Sequence, residues 1–454
     1  MSLSADVTVA RAGEESLPEQ RPTRVRFLVL AFLCSLAFVL YLDRVCISQA
    51  IQPMQEELGL NESQFGVIFA AFTLAYGLFE IPTGHWADQL GSRRVLTRIS
   101  IWWSVFTALT GACFGFYSLV VVRFLFGAGE AGAFPNAARV ISRWFPPLER
   151  GRAQGMFQTT ALIGGAGSQV LAAYLIRAIG WRFTFVVFGL VGIVWAVIFY
   201  WWFRDEPSDH IRVNEAERAI IGTGSTRHDH TAGIPWGYVL THRGILLLAT
   251  IMTCASFNSY VYFSWFSKYL QAGRGVEPVH AGWLCSLVLT LAALGTISGG
   301  VIADRVKRTV MNPLRWRRWW GFSAYVAAAL FLIAGVMGES PLVMALGAAF
   351  STAATHLTNP SWWSCATDVS GRHIGALFGL MNGVGVFGAM SSQLLFGNLA
   401  EWRKSQGFEG RAQWDPAFYV VAAVLLVAAV CWLFVDTSRP IGSAAEHDAP
   451  KNPA

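Results

Sequence analysis

Long apolar runs separated by short polar segments dominate the pattern of the chain. A run of about 20 apolar residues is the length that crosses a bilayer as a helix. The first set of runs occupies about 27–50, 65–87, 95–114, 117–141, 153–176 and 183–203. The second set occupies about 245–271, 281–303, 319–338, 342–364, 373–398 and 416–435. The pattern predicts an all-α membrane protein with twelve transmembrane helices in two groups of six.

The polar segments predict how the chain is divided. Residues 1–26 and 437–454 are expected to be tails, and 204–243 a linker between a bundle at 27–203 and a bundle at 244–436. The first apolar run starts only at Phe27 and no small-residue cleavage site follows it. We therefore interpret this run as the first span rather than as a signal peptide.

Composition supports a membrane protein and excludes several other classes. Of 454 residues, 54% are hydrophobic and 14% are charged, whereas soluble proteins average about 25% charged residues. The seven cysteines are scattered singly, and the histidines form no cluster, so no disulfide, metal site or cofactor is predicted. Basic residues form no single patch, so no nucleic-acid partner is expected. We find no nucleophile–base set, so no enzymatic activity is predicted.

The distribution of Lys and Arg predicts the orientation, because loops on the cytoplasmic side carry an excess of these residues. Both tails, the linker and the loops on their side hold most of the 34 basic residues. The smaller set on the other side is Arg177, Arg182, Lys268, Arg274, Arg403, Lys404 and Arg411. We therefore expect both termini and the linker to lie in the cytoplasm. We also expect the protein to lie in the inner (plasma) membrane and to be a monomer.

An internal repeat relates the two halves. A Gly-x-x-Ala-Asp pattern recurs at the ends of spans 2 and 8, with Asp88 and Asp304 as its acidic members. Spans 5 and 11 share six residues at one constant offset, which pair Gln158 with Asn382 and Gln169 with Gln393. Such repeats are typical of transporters whose substrate site lies between the halves near the membrane midplane. The repeat predicts two six-helix bundles related by pseudo-two-fold symmetry.

Besides charges close to the ends of the runs, the charged residues inside the apolar runs are Asp43, Arg44, Glu80, Arg123 and Glu130. An ionised group at mid-bilayer costs at least about 2.5 kcal/mol on insertion scales, so these groups should pair or face a water-filled cavity. Arg123 and Glu130 are two helical turns apart and share one face, as Tyr76 and Glu80 do at one turn. The alternative is a set of internal salt bridges without a ligand.

The charge sum favours an anionic substrate bound together with protons. Arginine stays protonated, whereas buried carboxylates take up protons readily. With Asp43 and Glu130 protonated, Arg44 and Arg123 remain as two cations that suit a carboxylate. With both acids ionised, they compete with the ligand for the arginines.

The remaining polar and glycine-rich motifs allow two interpretations each. Gln158 and Asn382 suit either substrate hydroxyls or hydrogen bonds between helices. The GxGxxG patterns at 127–132 and 383–388 lie inside spans, so we interpret them as helix-packing motifs rather than dinucleotide sites.

The chain resembles the major facilitator superfamily, and within it the anion:cation symporters, which include bacterial sugar-acid permeases, sialin and the vesicular glutamate transporters. The resemblance covers roughly 40–435. It rests on the Asp88 loop and its repeat around Asp304. It also rests on the segments 41–44, 123–131, 144–146, 149–152, 180–182, 204–210 and 213–214.

The resemblance implies a role for each matched position. Arg44 and Arg123 correspond to residues associated with the substrate's acid group, and Asp43 and Glu130 to residues implicated in proton coupling. The cavity-lining positions of the family correspond to Tyr41, Tyr76, Trp362 and Asn382. The loop with Asp88 and Arg93 resembles a cytoplasmic latch, with Asp304 at the equivalent position of the second half.

The chain departs from the family pattern at the cavity. Glu80 stands where the family usually has Gln, which adds a titratable group beside Tyr76 and makes Glu80 a third candidate for proton coupling. Gln169 and Gln393 stand where Pro is frequent, and Val386 replaces a common Asn.

The sequence favours a proton-coupled symporter that imports a small organic anion, a sugar acid or related hydroxy-carboxylate, by alternating access. Aromatic acids such as phthalate and dicarboxylates stay open as substrates. Its predicted partners are this anion, protons and lipid. An antiporter of drugs or organic cations on the same scaffold is the first alternative, which Glu80 favours because three acids then face two arginines. A membrane sensor without transport is the second.

Overall fold

The computed structural model describes residues 21–222, 236–370 and 374–437, and within these ranges the regular structure is helical, without strands. Spans are numbered here from 1 to 12 in chain order. In the first half they are Val25–Val45 with Ile47–Leu58 (span 1), Glu62–Leu90 (span 2), Ser92–Thr110 (span 3), Phe116–Glu130 with Ala133–Trp144 (span 4), and Pro147–Trp202 (spans 5 and 6).

The second half repeats this arrangement. Its helices are Arg243–Ser264 (span 7, continued by Phe266–Lys268 and a π-turn at Tyr269–Gly273), Pro278–Thr309 (span 8), Pro313–Met337 (span 9), Pro341–Leu357 with Asn359–Ser370 (span 10), Ile374–Ser405 (span 11) and Arg411–Phe434 (span 12). Shorter helices at Pro207–Asp209, Glu215–Ile221 and Trp236–Thr241 lie between the halves. The described ranges thus contain the twelve spans that the apolar runs predict.

Spans 5 and 6 follow each other without a loop. Gly180 has φ 79° and ψ 162° and breaks Pro147–Trp202 into two helices. That backbone conformation is readily accessible only to glycine. The sequence predicted a longer separation between these spans, because Trp181 and Arg182 were assigned to a loop.

Several spans begin with the same local signals. Proline opens spans 5, 8, 9 and 10, where its missing N–H costs no helical hydrogen bond. The side chains of Glu277, Asn312 and Ser340 accept hydrogen bonds from the first backbone N–H groups of spans 8, 9 and 10.

Length and composition mark most of these helices as membrane spans. Eight stretches of the described chain are long and apolar enough to cross a bilayer, and one of them, Pro147–Trp202, contains two spans. Large apolar side chains are exposed along the outer faces, for example Phe183 at 67% and Val194 at 57% in span 6. An apolar surface of this kind is expected where lipid replaces water.

The packing between the halves follows the predicted symmetry. Span 2 packs along span 11, and span 5 packs along span 8. Because spans 8 and 11 are the repeat partners of spans 2 and 5, exchanging the halves converts one contact into the other. The prediction of an all-α protein with two symmetric six-helix bundles is therefore confirmed.

Span 1 begins at the same end of the molecule as the helix Glu215–Ile221, and we call this the linker end. The other end of the molecule is called the opposite end. At the linker end the buried Glu217 carboxylate accepts hydrogen bonds from the backbone N–H groups of Val25 and Arg26, each at 3.1 Å. It thereby satisfies N–H groups that the first turn of span 1 leaves free. The Arg26 guanidinium bridges this carboxylate to Glu149 in the first turn of span 5.

Candidate functional site

A break in span 4 determines where Glu130 lies. The helix Phe116–Glu130 ends at this residue, Ala131 is extended, and Gly132 has φ 86°. A Cβ atom at Gly132 would lie 2.3 Å from Thr83 Oγ1, so this turn requires glycine for space as well as for conformation. Interrupted helices of this kind line cavities in transporters.

Arg44 lies in a box of aromatic rings and forms an ion pair with Glu130. Its Nε donates to Glu130 Oε1 at 2.7 Å, and Nη2 contacts the same oxygen. Its Cζ lies 4.9 Å from the ring centroids of both Tyr41 and Tyr76 and 5.3 Å from that of Phe72. Both charged side chains are buried, and the pair compensates the loss of hydration of each.

Arg123 is buried without such compensation. Its exposed fraction is 1%, and its Nε and Nη1 lack a hydrogen-bond partner, as does Glu130 Oε2. Its Cζ lies 4.3 Å from the ring centroid of Phe126 and 5.2 Å from that of Phe72. Buried donors without partners are costly, so these two N–H groups are the unsatisfied part of the site.

Asp43 points away from the Arg44 ion pair, as adjacent residues of a helix do. Its Oδ2 accepts a hydrogen bond from Trp103 Nε1 of span 3 at 3.0 Å, while Oδ1 lacks a partner. The carboxylate is fully buried. It is therefore a buried acid that is held to span 3 through one of its two oxygens.

We call Arg44, Arg123 and Glu130 with the rings of Tyr41, Phe72 and Tyr76 the arginine box. It borders the second half of the molecule. The Tyr260 ring of span 7 packs against the first-half core together with Tyr41 and Tyr76. One turn after Tyr76, Glu80 Oε1 accepts a hydrogen bond from Asn382 Nδ2 of span 11 at 3.2 Å. The structure thus brings together the predicted residues of spans 1, 2, 4 and 11.

Gln158 and Trp362 lie at a separate cavity of about 190 Å³ between the halves. Trp362 is held by a hydrogen bond from its Nε1 to the Leu248 carbonyl at 3.0 Å. The described residues that line this cavity are uncharged: Gln158, Ile251, Met252, Ala255, Tyr325, Thr358, Asn359, Trp362 and Trp363.

The repeat-related glutamines make different contacts. Gln169 Oε1 accepts hydrogen bonds from Gln49 Nε2 at 2.7 Å and from Ser48 Oγ, both within the first half. Gln393 Oε1 instead accepts from Thr73 Oγ1 at 2.8 Å, across the contact between spans 2 and 11. Both amides thus hold helices together.

The GxGxxG motifs also pack helices. A Cβ atom at Gly129 would lie 1.7 Å from Trp102 Cδ1, and one at Gly388 would lie 2.1 Å from the Thr253 carbonyl oxygen. These close approaches support the helix-packing interpretation.

The predicted gating residues belong to the linker end, where the structure describes the contacts of Arg93. Arg93 donates from Nε and Nη2 to the Tyr200 carbonyl at 2.8 and 2.6 Å, and its backbone N–H donates to Asp205. These partners belong to its own half. Asp304 is exposed, and the Asp88 side chain lies outside the described structure. The latch therefore stays a prediction.

At the opposite end the halves are joined by polar contacts that the sequence analysis missed. The Glu62 backbone N–H donates to Glu401 Oε2 at 3.2 Å, and Lys268 Nζ lies 3.9 Å from Glu62 Oε1. At the contact between spans 5 and 8, Arg177 Nη1 lies 3.4 Å from Glu277 Oε1. The repeat offset that pairs Gln169 with Gln393 also pairs Arg177 with Glu401, so it places one charged residue of each contact at equivalent positions, although it does not give their partners.

Two pseudo-symmetric bundles of six helices that enclose buried charged side chains are the architecture of a membrane transporter. The family model of the Major Facilitator Superfamily matches residues 33–393. The chain belongs to this superfamily.

Two solved structures share the fold. A bacterial homologue of the human lysosomal transporter Spinster, in an inward-facing, unoccupied conformation, has a TM-score of 0.74 and 20% identity over 91% of this chain and 98% of its own. A D-xylose–proton symporter has a TM-score of 0.70 and 14% identity over 91% of this chain and 99% of its own.

Curated relatives extend over most of the chain. The "Probable sulfoacetate transporter SauU" of Cupriavidus necator is 34% identical over 93% of this chain and 96% of its own. The "Probable L-galactonate transporter" of Escherichia coli is 28% identical over 80% of each. The chloroplastic "Ascorbate transporter" of Arabidopsis thaliana is 28% identical over 91% of this chain and 75% of its own.

Proposed function

We propose that this transporter is a proton-coupled symporter that imports a small organic anion, a sugar acid or related hydroxy-acid. The observation that carries the proposal is Arg123, a buried cation whose Nε and Nη1 lack partners. An acid group is the ligand that satisfies such a guanidinium with charge-assisted hydrogen bonds. The names of the relatives, which include sulfoacetate and galactonate, support an anion as the substrate class.

Proton coupling follows from the ion pair between Arg44 and Glu130. While Glu130 is ionised, it occupies Arg44 Nε and Nη2. Protonation of Glu130 weakens this contact and frees Arg44 for the acid group of the ligand. Each proton bound therefore favours the anion, and the anion favours the proton to the same extent. Asp43, with its free Oδ1, is the second candidate carrier of a proton.

Alternating access uses the contacts between the halves. The polar contacts through Glu62, Lys268 and Glu401 close the opposite end. The concentration of Lys and Arg at the linker end favours its location in the cytoplasm, so this is a conformation closed toward the outside. The bundles rock about the arginine box, and the Asp88 loop with Arg93 and Asp304 closes the linker end in the other state.

The antiporter alternative depends on Glu80, which adds a third acid to the site. With Glu80, Asp43 and Glu130 all ionised, the site would favour a cation. The unpaired donors of Arg123 argue against this reading, because a cationic ligand would leave them unsatisfied.

The test is flux in proteoliposomes that contain only the purified protein. With the outside made acidic, we expect accumulation of radiolabelled D-gluconate or isethionate, and a protonophore should abolish it. Accumulation that ignores the pH gradient would contradict proton coupling. Accumulation of an organic cation on reversal of the gradient would favour the antiporter, and binding without flux the sensor.

A further inference from the structure

The substrate site contains an acid that the anion-binding mechanism does not use. Glu80 lies four residues after Tyr76 in span 2, so the two side chains share a face about 6 Å apart. The Tyr76 ring contacts Arg44, with Cζ 4.9 Å from its centroid. Glu80 is therefore the next charged group along span 2 from the arginine box, toward the linker end.

The contact of Glu80 with the second half fixes its position at the interface. The carboxylate is half-buried, and its Oε1 accepts a hydrogen bond from Asn382 Nδ2 at 3.2 Å. No ion pair of Glu80 with a basic residue is found among the described residues. An ionised carboxylate offers acceptors only, so this part of the site accepts a hydroxyl or an ammonium group and repels a second anionic group.

The separate cavity next to Gln158 and Trp362 likewise offers no cation to a second anionic group. Its described lining consists of amide, hydroxyl, indole and aliphatic side chains without a charge. Its volume of about 190 Å³ exceeds the roughly 150 Å³ that holds a benzene ring. A second carboxylate or sulfonate that entered this cavity would lose its hydration without gaining a cation.

Building on the proposed function, we propose that Glu80 restricts the substrate to monoanions whose other end carries an uncharged hydrogen-bond donor. The acid group binds at Arg44 and Arg123, and the donor end binds at Glu80 and Asn382. Dianions of the same length are rejected, because their second charge meets the Glu80 carboxylate. Even at a separation of about 10 Å, wider than this contact, and an effective dielectric constant of about 20, the repulsion corresponds to roughly tenfold weaker binding, so tenfold is the smallest effect expected.

The test compares pairs of anions that differ only at the far end. D-Gluconate and D-glucarate differ by a hydroxymethyl group against a carboxylate, and so do isethionate and sulfoacetate. Apparent affinities are measured by thermal shift of the purified protein and by counterflow in proteoliposomes. The wild type should bind at least one monoanion about tenfold more tightly than its dianionic partner.

The variant Glu80→Gln keeps the size of the side chain and an acceptor for Asn382 but removes the charge. It should raise the affinity for the dianion about tenfold and leave that for the monoanion within a few-fold, so that the preference disappears. The control is Glu56→Gln, a substitution of the same type at an exposed residue near the opposite end, which should leave the preference unchanged.

The outcomes separate this inference from the proposed function. If anions bind and move but the wild type prefers the dianion, or Glu80→Gln leaves the preference intact, Glu80 only joins helices and the inference is wrong. If no anion of either pair binds to the wild type, both the inference and the proposed substrate class fail.

Discussion

Replacing Arg123 by Met should raise the stability of the ligand-free protein against unfolding. The same substitution should remove anion binding. The wild-type guanidinium is 1% exposed, with Nε and Nη1 unpartnered, and each buried donor without a partner costs about 1–3 kcal/mol. Met fills a similar volume without these donors. We therefore expect the ligand-free variant to be more stable than the wild type by about 2 kcal/mol.

The same substitution should weaken binding of the anion severely. Two hydrogen bonds to a charged group contribute about 1.5–3 kcal/mol each, so their loss corresponds to a decrease in affinity of roughly 100-fold or more. Stability is measured as thermal unfolding of the purified protein by tryptophan fluorescence, and affinity as the shift of that transition with added D-gluconate or isethionate.

The matched control is Arg44→Met, whose guanidinium does have a partner. This change leaves the Glu130 carboxylate buried without its cation, which should lower stability by about 3–5 kcal/mol. The double variant Arg44→Met, Glu130→Gln should recover most of this loss. If Arg123→Met instead melts below the wild type as far as Arg44→Met does, or binds anions normally, the assignment of Arg123 as an unsatisfied anion receptor is wrong.

Three further substitutions test other parts of the account. Glu130→Gln should abolish accumulation driven by a pH gradient but retain exchange of labelled for unlabelled anion in proteoliposomes, and unchanged accumulation would remove its role in proton coupling. Lys268→Met leaves Glu62 buried without its cation, so spin-label distances across the opposite end should shift toward a more open state, and an unchanged distribution would exclude this contact as a gate. Gly132→Ala introduces a Cβ atom 2.3 Å from Thr83 Oγ1 at a residue with a left-handed backbone conformation. It should therefore lower the free energy of unfolding by about 1–3 kcal/mol, measured by thermal unfolding. The control is Gly151→Ala, where the space is open, and this variant should not be destabilised.

The succession of helices could be predicted because lipid imposes a simple rule on sequence. Twenty apolar residues in a row have few alternatives to a spanning helix, and the repeat in spans 5 and 11 revealed the symmetry. The small separation of spans 5 and 6 was missed, because the turn depends on the conformation of one residue, Gly180, rather than on a polar loop.

The pairing of charges could be predicted only in part. Helical spacing put Arg123 and Glu130 on one face, yet the Glu130 carboxylate bonds to Arg44 of another span. Periodicity gives the face of a helix but not the neighbour that faces it. The break at Gly132 turns the end of the helix, and this tertiary detail decides which guanidinium the carboxylate reaches.

The spacing of residues within one span could not predict which residues make contact between the halves. Glu80 with Asn382, and Lys268 with Glu62, are separated widely in sequence and join only when the bundles pack. Their residue types gave a weak signal, since charged and amide side chains at the ends of spans are frequent. The repeat offset was the stronger signal, because it pairs positions that symmetry places on equivalent interfaces.

The central claim is that proton and anion bind together because protonated Glu130 releases Arg44. Proton uptake on anion binding measures this most directly, in weakly buffered protein solution with a pH indicator and D-gluconate or isethionate as the added anion. We predict net uptake of protons by the wild type on binding, and its loss in Glu130→Gln. Binding of the anion with no change, or with release of protons, would contradict the account.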